Sequence, residues 1–185
     1  MSNFISIHKL FSICIIGLII FQVRAQSPKP IVLTHVHIFD GKQNKIFQNS
    51  SVYIKGGKIF QVDISSANIL PGYEIIDGAG NYLVPGLIDA HTHLDNIAAA
   101  KRALETGVTT VRTAGVAAYQ DVALANMVIK GILAGPDIIP AGVYITPQLG
   151  ETILADIRLD TMYTGVNTQE RLRQVVRINI DRGAK

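Results

Sequence analysis

From Pro85 onward the chain repeats one pattern, and that repeat limits the fold more than any other feature. Apolar runs at 87–93, 108–113 and 138–145 are each followed by a helix-compatible stretch: 97–106, 117–134 and, after an irregular loop at 151–166, 169–182. Gly107, Gly135 and Gly183 stand where those helices should stop, as glycines do when the last turn needs a left-handed residue. Thr168 is placed to cap the third helix. Apolar strands separated by helices pair in parallel through right-handed crossovers. The spacing therefore predicts an α/β fold with three β/α units over 85–185. A closed (β/α)8 barrel needs eight such strands and roughly 250 residues, so the sequence reads as a partial barrel in a truncated chain.

The segment before Pro85 has a different rhythm. Short β-compatible runs at 31–39, 51–54, 58–62, 74–76 and 82–84 are separated by turn residues. Asp40-Gly41 and Asp77-Gly78 mark two of those turns, and Lys55-Gly56-Gly57 marks a hairpin. Residues 31–84 are predicted to form a small β-sandwich, too small to be comfortable alone.

Residues 1–25 read as an export signal. Lys9 precedes an apolar run from 10 to 23, and Val23-Arg24-Ala25 offers a small residue before Gln26. The run is shorter than the roughly 20 residues of a spanning helix, so cleavage and a periplasmic or secreted location are expected, with an uncleaved anchor as the alternative. Cys14, the one cysteine, lies inside this run. The rest of the chain then has no thiol for a disulfide or for cysteine-ligated zinc.

Charge excludes one class of partner. The formal net charge is +3, but Lys9 and Arg24 belong to the first 25 residues, which hold no acid. The remainder carries 15 basic and 14 acidic residues, a net +1. No nucleic-acid partner is expected of so balanced a chain. The 48% hydrophobic content is that of a chain with a core to bury.

The chemistry-bearing residues lie at the end of the first run after Pro85, in Asp89-Ala90-His91-Thr92-His93. Residues two apart on a strand share a face, so Asp89, His91 and His93 are expected to project together. Two neutral imidazoles on one face suit a divalent metal. A second pair with the same spacing, His35 and His37, sits ahead of the Asp40-Gly41 turn with no carboxylate expected on its face, and is read as structural.

The stretch from Pro85 to His93 closely resembles the first barrel strand of the amidohydrolase superfamily. Other stretches agree in order and spacing: VHIFDG at 36–41 with KGGKI at 55–59, GVTTVRTAG at 107–115 and GPDIIPAG at 135–142. The nearest branch is the imidazolonepropionase and Xaa-Pro dipeptidase-like group. The resemblance implies a metal-dependent hydrolase on a (β/α)8 barrel with an accompanying small β-sandwich. It implies one or two divalent ions, often zinc, with His91 and His93 as ligands of the more buried one. Water activated by the ion would attack a carbon–nitrogen bond in a small amide, lactam or peptide. Asp89 would orient one of the imidazoles, or else bond the backbone at the strand end. The resemblance is compatible with a homo-oligomeric parent protein.

Three departures qualify it. Relatives commonly carry VRDAG where this chain has VRTAG, so Thr113 replaces a carboxylate. The loop after the third strand reads ITPQLGET, without the histidine that relatives often place there. The resemblance puts the remaining ligands and the aspartate general base on later strands, beyond residue 185, and Lys185 falls short of the bridging-lysine position. The parent is expected to be an exported metal-dependent amidohydrolase, and these 185 residues alone to be inactive. The alternative is a non-catalytic truncated product or a binding module built on the β-sandwich.

Overall fold

The computed structural model describes residues 29–64 and 69–185. The export-signal reading of residues 1–25 lies outside them. The chain divides into two compact units, with the boundary between Val84 and Pro85.

The first unit holds β1 (Ile31–Ile38), β2 (Phe47–Lys55), β3 (Lys58–Asp63), β4 (Glu74–Asp77) and β5 (Tyr82–Leu83). The expected sandwich is not what these residues build. They make one mixed sheet in the order β3-β2-β1-β4, with β5 also on β1. The reason is pairing: β4 and β5 both run parallel to β1, at successive stretches of the same edge, instead of forming a second layer. Two bulges shape the β1–β2 ladder, one in each strand. His35 (φ 50°) and Asn49 (φ 47°) sit at them in left-handed geometry. Val36, Ile38 and Val52 form the small core of this unit.

The His35 and His37 pair is used locally. His35 Nδ1 lies 2.9 Å from Asp77 Oδ1, so the face does have a carboxylate, which the sequence reading had not placed there. Asp77 comes from β4, paired in register with Thr34, a neighbour invisible to local spacing. His37 Nδ1 accepts the backbone N–H of Asn49 at 3.1 Å.

The second unit is the strand–helix part. Its strands β6 (Leu87–Thr92), β7 (Val108–Thr113) and β8 (Asp137–Ile139) pair in parallel in that order. Helix α1 (Ile97–Glu105) links the first two, and α2 (Gln120–Ile129) links the next two. Asn96 caps α1 by accepting the Ala99 N–H at 2.8 Å. Leu94, Ala100, Val111, Leu124, Ala125, Leu133 and Ile138 pack between this sheet and the two helices.

Helix α3 (Gln169–Arg182) follows, capped by Thr168 and closed at Gly183 (φ 110°). The stretch read as an irregular loop instead makes two 3₁₀ turns, Gly150–Ala155 and Ile157–Met162. Leu159 and Met162 from the second turn are buried with Val143, Val175 and Ile178. Two other elements are shorter than expected. The second helix is confined to Gln120–Ile129, entered through Tyr119 at φ 61°. The third strand stops at Ile139, because Pro140 has no N–H to give a ladder. A single parallel bridge, Val116 to Val143, resumes the pairing beyond it. Among the described residues no helix is long and apolar enough to cross a membrane.

Candidate metal site at the strand ends

The site is built where β6, β7 and the segment after β8 end together. Along β6 the register with β7 is not regular: Asp89 to Thr92 spans three steps against two from Val111 to Thr113. One extra residue in β6 is a bulge, which withdraws a backbone N–H from the ladder. The Asp89 carboxylate takes up that role, its Oδ1 accepting the His91 N–H at 3.0 Å. Asp89 thus reaches His91 through the backbone and not through the ring.

His91 and His93 come together as the sequence implied. Their ring centroids are 5.5 Å apart with planes at 80°. His93 Nδ1 lies 2.8 Å from the Gly115 carbonyl oxygen, just past the end of β7. A carbonyl can only accept, so Nδ1 carries the proton and Nε2 keeps the lone pair. That tautomer is the one a histidine needs to bind a cation through Nε2. The Tyr144 hydroxyl is 3.2 Å from the same Nδ1, and its ring centroid is 5.7 Å from that of His93.

Gly115 could be no other residue without cost. Its φ is 113°, and a Cβ would meet the Tyr144 ring at 2.8 Å. Absence of a side chain here lets the phenol approach His93.

Behind the histidines lies a buried polar knot. Asp121, in the first turn of α2, is fully buried. Its Oδ2 accepts the Thr113 hydroxyl at 2.6 Å and the N–H groups of Ala141 and Gly142, each at 3.0 Å. Its Oδ1 accepts its neighbour's N–H, from Val122, at 2.8 Å. Thr113 Oγ1 in turn accepts the Ala141 N–H at 3.0 Å. One carboxylate therefore ties the end of β7 to the segment that delivers Tyr144. Further along, Asn179 pairs with both backbone groups of Val143, accepting its N–H at 3.2 Å and donating to its carbonyl at 3.0 Å. Lys185 contributes a main-chain N–H, which donates to Pro140 O at 2.8 Å.

A cavity of about 460 Å³ opens beside this arrangement, with Arg112, Gly115, Tyr144 and Thr146 in its wall. Among the described residues no group of three or more His, Cys, Asp or Glu is close enough to hold a metal ion. The two histidines fit a divalent cation as part of a donor set and do not complete one.

The sequence singled out His91, His93 and Asp89; the structure sets the two imidazoles side by side and places the Asp89 carboxylate on the His91 backbone N–H. It did not single out Tyr144, Gly115 or Asp121. A signal existed only for Asp121, an acid at the start of the otherwise apolar run Val122-Ala123-Leu124-Ala125.

No protein-family model matches the chain. It is 28% identical over 158 residues to an adenine deaminase of Staphylothermus marinus, which covers 75% of this chain and 26% of that protein. Over 56 residues it is 46% identical to an imidazolonepropionase of Idiomarina loihiensis, covering 30% of this chain and 14% of the relative. Among solved structures it is similar to a putative prolidase from Bifidobacterium longum. The TM-score is 0.68 and the identity 31%, over 84% of this chain and 39% of that one. The chain thus spans about a quarter of the deaminase and about two fifths of the prolidase chain.

Proposed function

We propose, from its likeness to adenine deaminase, imidazolonepropionase and prolidase proteins, that this chain is part of an amidohydrolase-superfamily protein and supplies part of the metal site of a hydrolase acting on carbon–nitrogen bonds. His91 and His93 are its two ligands to a divalent cation, with zinc the best match to paired imidazoles. The observation that carries this reading is the 2.8 Å contact between His93 Nδ1 and Gly115 O, with His91 alongside. When bound, such an ion lowers the pKa of water and polarises a scissile carbonyl.

The chain's own residues do the rest of what is proposed. The Gly115 carbonyl holds the proton of His93 on Nδ1. Asp89 fixes the backbone from which His91 projects. Asp121 and Thr113 tie the end of β7 to the Ala141–Gly142 backbone that leads to Tyr144. The substrate class we propose is a small amide, lactam, amidine or dipeptide. It is supported by likeness to proteins named adenine deaminase, imidazolonepropionase and prolidase. The three parallel strands are, on this reading, the first three of a (β/α)8 barrel. Export is proposed from the residue 1–25 pattern, and N-terminal sequencing of secreted material tests it by finding Gln26 first.

A second reading has an observation in its favour. The described residues bring together no group of three or more His, Cys, Asp or Glu, and on this second reading the chain is a non-catalytic product or a binding module built on the N-terminal unit. Both readings meet in one assay. The purified chain is incubated with zinc and, separately, a Xaa-Pro dipeptide, a lactam and adenine. No turnover is expected from the 185 residues, and zinc-dependent turnover is expected once further strands supply the missing donors. Turnover that is unaffected by His91→Ala would contradict the assignment of the ligand pair.

A further inference from the structure

Tyr144 lies 51 residues from His93 in sequence, yet its hydroxyl is 3.2 Å from the His93 Nδ1 in space. Hydrogen-bond accounting decides what it does there. The Gly115 carbonyl, 2.8 Å away, accepts only, so the His93 Nδ1 is a donor. The Tyr144 oxygen, facing the same N–H, is therefore a second acceptor for it. A proton shared between two acceptors resists rotation of the ring in either direction, whereas a single carbonyl leaves it free to swing.

The rest of the fold spends several devices on bringing Tyr144 to this point. Gly115 lacks the Cβ that would strike the Tyr144 ring and holds φ at 113° to do so. Val143, the residue before Tyr144, is clamped on both backbone groups by Asn179. Gly142 and Ala141 are held by the buried carboxylate of Asp121. The backbone leading to Tyr144 is thereby held at three consecutive residues, Ala141, Gly142 and Val143.

We infer that Tyr144 is a positioning residue for His93, sharing its Nδ1–H with the Gly115 carbonyl so that Nε2 is the nitrogen presented to a ligand. What Nε2 then binds rests on the metal reading above, while the tautomer does not.

The test is the tautomer of His93 in metal-free, ¹⁵N-histidine-labelled protein, read by two-bond nitrogen–proton correlation about two units above the ordinary imidazole pKa. The wild-type ring is expected in the Nδ1–H form, at a ratio of about ten to one over Nε2–H for hydrogen bonds of this kind. Tyr144→Phe keeps the ring and removes only the oxygen, and the ratio is expected to fall about threefold. Gly115→Ala pushes the phenol away and strains the carbonyl, with a larger fall. In a second, uniformly ¹⁵N-labelled sample, the backbone amide signals of Val143 and Asn179 report that each variant is folded. A wild-type ring in the Nε2–H form, or a Tyr144→Phe ratio equal to wild type, overturns the inference. Zinc is added in a separate arm: ring signals of His91 and His93 that do not respond sink the metal reading and leave the tautomer result standing.

Discussion

His93 Nδ1 and the Gly115 carbonyl oxygen lie 2.8 Å apart, a bond between the end of β6 and the first turn beyond β7. It makes the identity of residue 115 and the chemistry of residue 93 one problem. The glycine is needed for its φ of 113°, its carbonyl sets the tautomer, and its missing Cβ admits Tyr144.

The knot at Thr113 and Asp121 should respond sharply to substitution. Thr113→Val keeps the shape but removes a hydroxyl that donates to Asp121 and accepts from Ala141. A loss of about 2 kcal/mol is expected in denaturant unfolding. Thr113→Asp sets two buried carboxylates side by side. The expected loss is larger, about 3 kcal/mol or more. Adding Asp121→Asn should recover most of it, since an amide can donate to the new carboxylate. Equal stability of the Thr113→Asp single and double variants would contradict this coupling.

The clamp between α3 and the segment after β8 depends on one side chain. Asn179 is 5% exposed and makes two hydrogen bonds to Val143. Asn179→Leu leaves a buried N–H and carbonyl unpaired, and a cost of about 2 kcal/mol is expected. Hydrogen exchange at the Val143 amide is the local check: it should accelerate more than exchange in the core of β7.

Acid should weaken the second unit through Asp156. Hydrogen bonds from the Arg158 side chain, the largest effect, hold this carboxyl far below the usual carboxylate range. Burial opposes them, while the Arg158 backbone N–H and Arg182 assist. Arg158 Nη2 is 2.9 Å from Asp156 and Arg182 Nε is 2.6 Å from it. A carboxyl whose folded pKa is depressed stabilises the fold above its unfolded value of about 3.9 and gives that up as pH falls below it. Stability measured downward from about pH 5 should therefore decline, and Asp156→Asn should be weaker at neutral pH with a flatter decline. An identical acid slope in the variant would remove Asp156 from the account.

How much of this was legible in the sequence depended on distance along the chain. The strand Val108–Thr113 carries its own β-branched signal, and the stop of α1 is written in Gly107, at φ 88°. Both elements form as read. The bulge in β6 was hidden, because periodicity assumes no extra residue, and it moved Asp89 onto the His91 backbone. The early end of β8 could be seen in Pro140, but its replacement by an Asn179 clamp 36 residues away from Val143 could not. Two 3₁₀ turns passed for a loop since they bury Leu159 and Met162 without a helical period. The sandwich expected at the N-terminus failed for a similar reason: spacing shows where strands lie and not which edge they join.

Zinc binding by the folded chain, measured by competition with a chromophoric chelator, is the most direct test of the strand-end ligand pair. Wild-type protein is expected to bind one equivalent weakly. His91→Ala and His93→Ala should each weaken binding by about tenfold or more, on the scale of losing a metal-site partner. Removing His35 and His37 together should leave it unchanged. Binding that survives in both His91→Ala and His93→Ala, or that disappears with His35 and His37, would contradict the assignment of the strand-end pair as ligands.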